Sequence, residues 1–511
     1  MRNAALCLLT LLALALGSCG DLISWTADPS VRLRFLSDTV KFDTVITGAA
    51  SSARDVVVYN DAQDGVRIAQ VRLKKGAESL FRVNVDGHFL TGGVGGDFEI
   101  WGRDTMCVRL FVNLPVTETD RIEACEDELI FTLESGVEQR LVLTCSGMNV
   151  DVLKGEVIDE DKTLTTRRPY QVFDSLVVEE GRTLTLPAGC TLMFHDGAQL
   201  VVRGTLLCQG TQERPVVLRG DRTDKMFPYL PYDNTPNRWG GVRIEKTSRG
   251  NRLEQTDLHS SDFGILADST EWQQDDAPIL TINNSVIHNI GGPGLVLRGT
   301  SALVTGTQIS NTRGHCVGVT GGDVRFIHCT LAQFYPFTAK RGEALFLTNR
   351  EGETPVPLRR AHFINCVITG YAEDVIMGDF EEQEGGDRVD YLFQNSLLRT
   401  EPSDDAERFR DIKYDLRDSL EIYADKHFQT FDDHAFIYDF TPDSLSAIRG
   451  LADPQWALPY ATDRLGRSRM ADGEPDAGAY ECLIRDDKAR RSGWSWRGRP
   501  VRKTASLSSG G

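Results

Sequence analysis

Asn284-Ser285-Val286-Ile287, Gly306-Thr307-Gln308-Ile309 and His328-Cys329-Thr330-Leu331 are copies of one short pattern, each starting 22 residues after the one before. Asn365-Cys366-Val367-Ile368 and Asn395-Ser396-Leu397-Leu398 repeat it at longer intervals, and Gln255-Thr256-Asp257-Leu258 is a weaker copy upstream. A period in the low twenties, carried by β-branched residues and punctuated by turn glycines, is the signature of a solenoid. Each unit of such a chain buries its apolar side only by stacking on its neighbours. The spacing therefore decides the architecture of most of the chain before any catalytic pattern is considered.

The same texture begins near residue 152. Ser175-Leu176-Val177-Val178, Thr183-Leu184-Thr185-Leu186, Thr191-Leu192-Met193-Phe194 and Gln199-Leu200-Val201-Val202 are four-residue strands separated by Gly or Pro turns. Strands this short are not stable as isolated hairpins, but they hold together as rungs of a parallel coil. Residues 151–482 resemble right-handed parallel β-helix proteins, the fold of pectate lyases, polysaccharide hydrolases and many surface adhesins. Near the end of that stretch, Asp463-Arg464-Leu465-Gly466-Arg467 and Pro475-Asp476-Ala477-Gly478-Ala479-Tyr480-Glu481 resemble the closing motif of bacterial surface β-helix proteins, with Ala477 where Ile is usual.

Residues 31–150 read differently. Asp55-Val56-Val57-Val58-Tyr59-Asn60, Phe81-Arg82-Val83-Asn84-Val85 and Leu129-Ile130-Phe131-Thr132-Leu133 alternate in the manner of half-buried strands, with Gly, Asp and Asn between them. On Val56–Asn60 and the closing Leu141–Gly147 the region resembles immunoglobulin-like modules found in cilia and centrosome proteins and in bacterial lipoproteins. The expected fold is thus all-β, an Ig-like β-sandwich acting as a spacer, followed by a right-handed parallel β-helix.

At the N-terminus, Arg2 precedes an apolar run from Ala4 to Leu16, too short to span a bilayer as a helix. It ends in Leu16-Gly17-Ser18-Cys19, which resembles a bacterial lipobox. That resemblance makes residues 1–18 a signal peptide, Cys19 the lipidated residue, residues 19–30 a tether and the outer membrane the destination. The order of lipobox, Ig-like module, β-helix and Gly-Ala-Tyr-Glu end resembles lipoproteins of the Bacteroides phylum. Residues 483–511 carry eight Arg or Lys between Arg485 and Lys503 against two acids, and read as a basic, disordered tail.

The net charge of −18 argues against nucleic acid as a partner, because phosphate binding needs a basic face. Apart from Cys7 and Cys19, nine cysteines remain, an odd number that cannot pair completely. Cys329 and Cys366 hold the same place in two copies of the repeat, which predicts a buried column of small thiols. No Cys-x-x-Cys and no closely spaced pair of histidines is present, so the spacing predicts no metal site.

Function is sought where the repeat is interrupted. Measured against the two clean copies, insertions of eight or nine residues fall at one turn, carried by 268–278, 348–360 and 378–390. Insertions on one side of a solenoid mark a binding face. Rungs about 4.8 Å apart place a notch over the two clean rungs, with Trp272, Asp275, Asp276, Arg298, Asp323, Arg350 and Arg359 as its candidate ligand-binding residues. An aromatic ring with carboxylates and guanidinium groups suits a sugar chain. The first expectation is non-enzymatic glycan binding or adhesion by a lipid-anchored envelope protein, with a polysaccharide or an envelope protein as its partner. The alternatives are a polysaccharide lyase or hydrolase, and a structural envelope protein. No cofactor is expected except, under the lyase alternative, Ca²⁺ at Asp275 and Asp276. The hydrolase alternative nominates Asp276 and Asp323 as its carboxylates. A further insertion, 221–238, is expected to pack over the side of the coil.

Overall fold

The computed structural model describes residues 24–268, 277–381, 389–417 and 421–482. Lipidation at Cys19, the candidate residues Trp272, Asp275 and Asp276, and the basic tail lie outside them. No helix among the described residues is long and apolar enough to cross a membrane.

Residues 25–148 form two sheets around one core. The first runs Trp25–Thr26, Gly65–Leu73, Glu123–Leu133, Glu138–Met148, Thr39–Ile46, with Val94–Ile100 added to Gly65–Leu73. The second runs Arg34–Phe35, Arg54–Tyr59, Thr105–Val112, Phe81–Val85, His88–Phe89. Strict alternation puts Val58, Val83 and Leu110 of one sheet and Ile68, Phe131 and Leu143 of the other into the same apolar cluster. After Asn149 and Val150 the chain passes directly into Asp151–Ile158, which pairs in parallel with Tyr170–Val178. The junction is held by Arg168, whose guanidinium bonds Asp120 at 2.6 Å and the carbonyl of Thr119 at 3.0 Å.

From there the chain builds three parallel ladders, an arrangement that fits a β-helix. In the turn that begins at Asn251, for example, Asn251–Glu254 lies on the first ladder, Thr256–His259 on the second and Ile265–Ala267 on the third. The next turn supplies Leu280–Asn283, Val286–Ile290 and Leu295–Arg298, each in register with the strand before it. Leu253, Leu258 and Ile265 point inward, as do Ile282, Ile287 and Leu295 one rung later, and together they fill one continuous core. The last rung ends with Phe409–Arg410 and Lys413–Tyr414.

The repeated motif is the corner between the first and second ladders. Its opening residue has a left-handed backbone in every copy, with φ between 43° and 55° at Gln255, Asn284, Gly306, His328, Asn365 and Asn395. Asn and Gly tolerate that region best, which explains their recurrence. The second residue is a small buried donor. Ser285 Oγ donates to the carbonyl of Asn283 at 2.8 Å, Thr307 Oγ1 to Thr305 at 2.8 Å and Ser396 Oγ to Gln394 at 2.8 Å. Cys329 and Cys366 occupy the same column and send their thiols to Ile327 at 3.5 Å and Ile364 at 3.3 Å. Both are fully buried, as the spacing implies, and they stand in for hydroxyls besides filling space.

Residues 421–482 turn back along the outer side of the second ladder. Ala332, Phe334, Val367 and Leu397, which face outward from the coil, share an apolar cluster with Phe428, Phe440, Ile448, Ala477 and Tyr480. The Gly-Ala-Tyr-Glu stretch is the clasp. The N–H groups of Gly478 and Ala479 donate to the carbonyl of Asn365 at 2.8 Å and to Thr330 Oγ1 at 2.9 Å, and the Tyr480 hydroxyl donates to Gln308. Asp463 accepts from the N–H of Glu481 at 2.9 Å, and Arg469, fully buried, bonds Glu481 at 3.1 Å.

The clasp sets a pH window. Burial raises the Glu481 carboxyl to about 8 against the pull of Arg469, with Asp476 and Asp463 adding to the rise. Its contribution to stability is complete below the ordinary value of 4.5 and is lost as pH rises through 8. His328 lies beneath the same clasp and is held well below 6.5 by burial and then by the charge of Arg469. Its contribution is complete above 6.5 and is lost as pH falls. The thermal midpoint of the full chain is expected to be level between about 4.5 and 6.5 and to decline toward pH 8. Glu481→Gln shallows the alkaline decline. A midpoint that climbs from pH 6.5 to 8 contradicts this assignment.

Candidate functional site

Register places the described ends of the three insertions at one corner, the turn from the third ladder back to the first. Ala267 pairs with Leu297, Arg298 with Thr320, Thr320 with Thr348 and Thr348 with Asp379. A column of charge runs along this corner. Arg203 bridges Glu179 at 3.0 Å and Glu245 at 3.1 Å, Arg298 lies between Asp268 at 3.4 Å and Glu351 at 3.9 Å, and Arg350 bonds Asp379 at 2.7 Å. These side chains are partly exposed, so the pairs contribute little to stability. Their consequence is geometric: Arg298 is held outstretched between two acids from different rungs.

Beside it is an open cleft of about 400 Å³ lined by Glu245, Lys246, Asp268, Arg298 and Glu351. Glu351 reaches it because Arg350–Glu351 and Thr354–Pro355 form a small hairpin that leans back over the clean rungs. Of the candidate residues described, Arg298 lines the cleft. Arg350 stands at the same corner, tied to the third insertion, and the amide of Asn349 donates to the carbonyl of Glu381 at 2.8 Å. Asp323 and Arg359 are on the first ladder instead. Asp323 lies 3.7 Å from Arg360 with its side chain mostly covered, and Arg359 is exposed on the strand Leu358–Ile364. Glu245 and Lys246, which the motif spacing passes over, become visible once Ile244 is aligned with Ala267.

A second cluster sits on the outer side of the second ladder, beside the rung where Tyr480 meets Gln308. Asp257 and His259 lie two residues apart on one strand, both facing out, and His288 occupies the equivalent place one rung later. His259 Nδ1 is 2.8 Å from Asp257 Oδ1, and His288 Nε2 is 3.2 Å from the same oxygen. The other nitrogen of His259 faces Asp233 Oδ1 at 2.9 Å, which Arg219 also contacts at 2.9 Å. Burial opposes a charge on His259, yet Asp257 and Asp233 outweigh it and lift the imidazole to about 10. The sequence held the signal: His259, His288, Ser310, Ala332, Thr369 and Arg399 are the fifth residues of the six motif copies. Metal motifs read from spacing place their ligands close along the chain, whereas the coil brings together His259 and His288, 29 positions apart.

Asp233 belongs to the insertion 221–238, which packs over the side of the coil as expected: Leu230 is buried, and Ser260 Oγ donates to the carbonyl of Asp233 at 2.8 Å. Its tip exposes Phe227 and Tyr229, stacked 5.7 Å apart, and Tyr229 meets Phe436 of the returning segment at 6.5 Å.

No protein-family model matches the chain. A stretch of 67 residues, 13% of the chain, is 36% identical to Protein bark beetle of Drosophila melanogaster and spans 2% of that protein. Among solved structures, a family 123 glycoside hydrolase from Clostridium perfringens overlaps 22% of the chain and 25% of its own length, at 6% identity and a TM-score of 0.17. The catalytic domain of a GH87 alpha-1,3-glucanase in complex with nigerose overlaps 71% of the chain and 87% of its own length, at 9% identity and a TM-score of 0.17. Overlaps with scores this low add nothing to the fold already described.

Proposed function

We propose that the chain is a lipid-anchored envelope protein that binds a neutral glycan at the corner cleft. The lipid anchor is supported by Leu16-Gly17-Ser18-Cys19, and an Ig-like spacer by two sheets closing on one core in residues 25–148. Right-handed winding is carried by the resemblance to the β-helix family.

The observation that carries the binding reading is Arg298 held between Asp268 and Glu351 over an open cleft of about 400 Å³. Outstretched guanidinium and carboxylate groups are donors and acceptors suited to vicinal hydroxyls. The lining holds three acids and two bases, on a chain of net charge −18. That balance repels a polyuronate, so it disfavours the lyase alternative and the Ca²⁺ that goes with it.

Three carboxylates lining one cleft also favour a second reading, glycoside hydrolysis. Asp268 and Glu351 both reach Arg298, and an acid and a base facing one sugar are what inverting hydrolysis requires. The test is a glycan array with the full chain, followed by a reducing-sugar assay on whatever binds. Neutral oligosaccharides are expected to bind, with Arg298→Ala weakening them about tenfold, the loss of one charge-assisted hydrogen bond. Binding of polyuronates alone, or binding indifferent to Arg298→Ala and Glu351→Gln, overturns the reading. Release of reducing ends abolished by Asp268→Asn establishes hydrolysis.

A further inference from the structure

We propose that Asp257, His259 and His288 form a binding site for one divalent transition-metal ion of the zinc class. The site is on a different face of the coil from the corner cleft and does not depend on glycan binding there.

Three features carry the assignment. The first is the donor set. One carboxylate oxygen and two imidazole nitrogens all lie within 4.8 Å of one another. A tetrahedral zinc with bonds of about 2.0–2.1 Å spaces its donors roughly 3.3–3.5 Å apart. The observed 2.8 Å and 3.2 Å from Asp257 Oδ1 to the two nitrogens need only small side-chain rotations to meet that spacing. The backbone is already placed, because Asp257–His259 and Val286–His288 are locked in register on adjacent rungs.

The second feature is the outer shell. A histidine that ligates a metal usually hands its other N–H to a carboxylate, which fixes the tautomer and the ring. His259 does this with Asp233 at 2.9 Å, leaving Nδ1 for the ion, and Arg219 anchors Asp233 in turn. The Ser260 hydroxyl and the carbonyl of Asp233 tie the loop to the strand at 2.8 Å. From the opposite side, the indole N–H of Trp239 donates to the carbonyl of His259 at 2.8 Å.

The third feature is access. His259 is buried, while the side chains of Asp257 and His288 keep 30% and 25% of their exposure. Three protein ligands with an open side leave a fourth position for water or another ligand. The chemistry of the donors selects the class of ion. Two imidazoles with one carboxylate suit zinc and its transition-metal neighbours, whereas calcium and magnesium take oxygen sets. The ion takes the place of the proton that His259 Nδ1 otherwise donates to Asp257.

The test uses the full-length chain, stripped with a chelator and titrated with Zn²⁺ by calorimetry and with Co²⁺ by absorption spectroscopy. One ion per chain is expected, with a Co²⁺ spectrum of low coordination number and no thiolate charge-transfer band. His288→Ala and Asp257→Asn are expected to weaken binding at least a hundredfold. Asp233→Asn, which leaves all three ligands in place, is expected to weaken it about ten- to a hundredfold. His362→Ala, on another ladder, should leave it unchanged. X-ray absorption of the zinc-loaded native chain keeps the proposal falsifiable should a variant fail to fold, since it must show two imidazole nitrogens. No saturable binding, a thiolate signature, fewer than two imidazoles, or affinity unchanged in both His288→Ala and Asp257→Asn overturns the proposal.

Discussion

Arg469→Met is expected to detach the returning segment from the coil at alkaline pH and to leave it attached in mild acid. Arg469 is fully buried and bonds both Glu481 and the carbonyl of Gly478 at 3.1 Å. Above the value of about 8 to which Glu481 is raised, its carboxylate is ionised and Arg469 is the cation bonded to it. Removing one member of a buried pair destabilises by about 3–5 kcal/mol, because the other is left charged and uncompensated. Near pH 5.5 the carboxyl is neutral, and the loss shrinks to about 1–2 kcal/mol for two hydrogen bonds and some packing. Hydrogen exchange of residues 424–482 at the two pH values reads this directly. Equal protection in the variant and the native chain at pH 9 would sink the idea, as would an equal loss at both.

Trp239→Ala is the other large effect, about 3–5 kcal/mol. Trp239 is fully buried, stacks on Phe194 with ring centroids 4.2 Å apart and planes 9° apart, and belongs to the coil's core. Its N–H also satisfies the buried carbonyl of His259. Trp239→Phe keeps most of the apolar volume and removes that donor, so about 1–3 kcal/mol should remain of the loss. Denaturant unfolding followed by circular dichroism separates the two contributions. A Phe variant as damaging as Ala would mean that the hydrogen bond, not the packing, dominates. A Phe variant with native stability would mean that the carbonyl finds another partner.

The ladders were legible because their cause is periodic. A residue that recurs every 22 positions at a left-handed corner must be Asn, Gly or a close substitute, and the next must be small and able to donate. Those demands appear in the chain as a visible motif. The corner carrying the insertions was equally legible, since a rung's length can grow only where a loop leaves the core. The position of the cleft along that corner was not. It depends on which way the hairpin at Arg350–Pro355 leans, and this follows from packing between rungs that the spacing does not encode. Asp323, expected in the notch, stands on the first ladder for a related reason: after the tight turn at Gly321 and Gly322, both at positive φ, the chain has already crossed to the next ladder. The Asp257, His259 and His288 cluster was hidden because its members become neighbours only when the motif is read down the column instead of along the chain. The Gly-Ala-Tyr-Glu stretch was recognisable as a resemblance, yet its action depends on partners as distant as Gln308 and Thr330.

Those distant partners bear on the order in which the molecule can be made. The rungs need only their neighbours, so they can assemble one after another as the chain emerges. Ala332, Phe334, Val367 and Leu397, by contrast, stay uncovered until the returning segment from Ala424 to Tyr480 arrives. During that interval the nascent protein carries an apolar patch on its last rungs, open to aggregation with other unfinished chains or to capture by a chaperone. Premature termination just before Ala424 would leave the rungs through Tyr414 in place and this patch bare. A chain stopped there would differ from the finished one by the stickiness of that patch rather than by any failure of the coil itself.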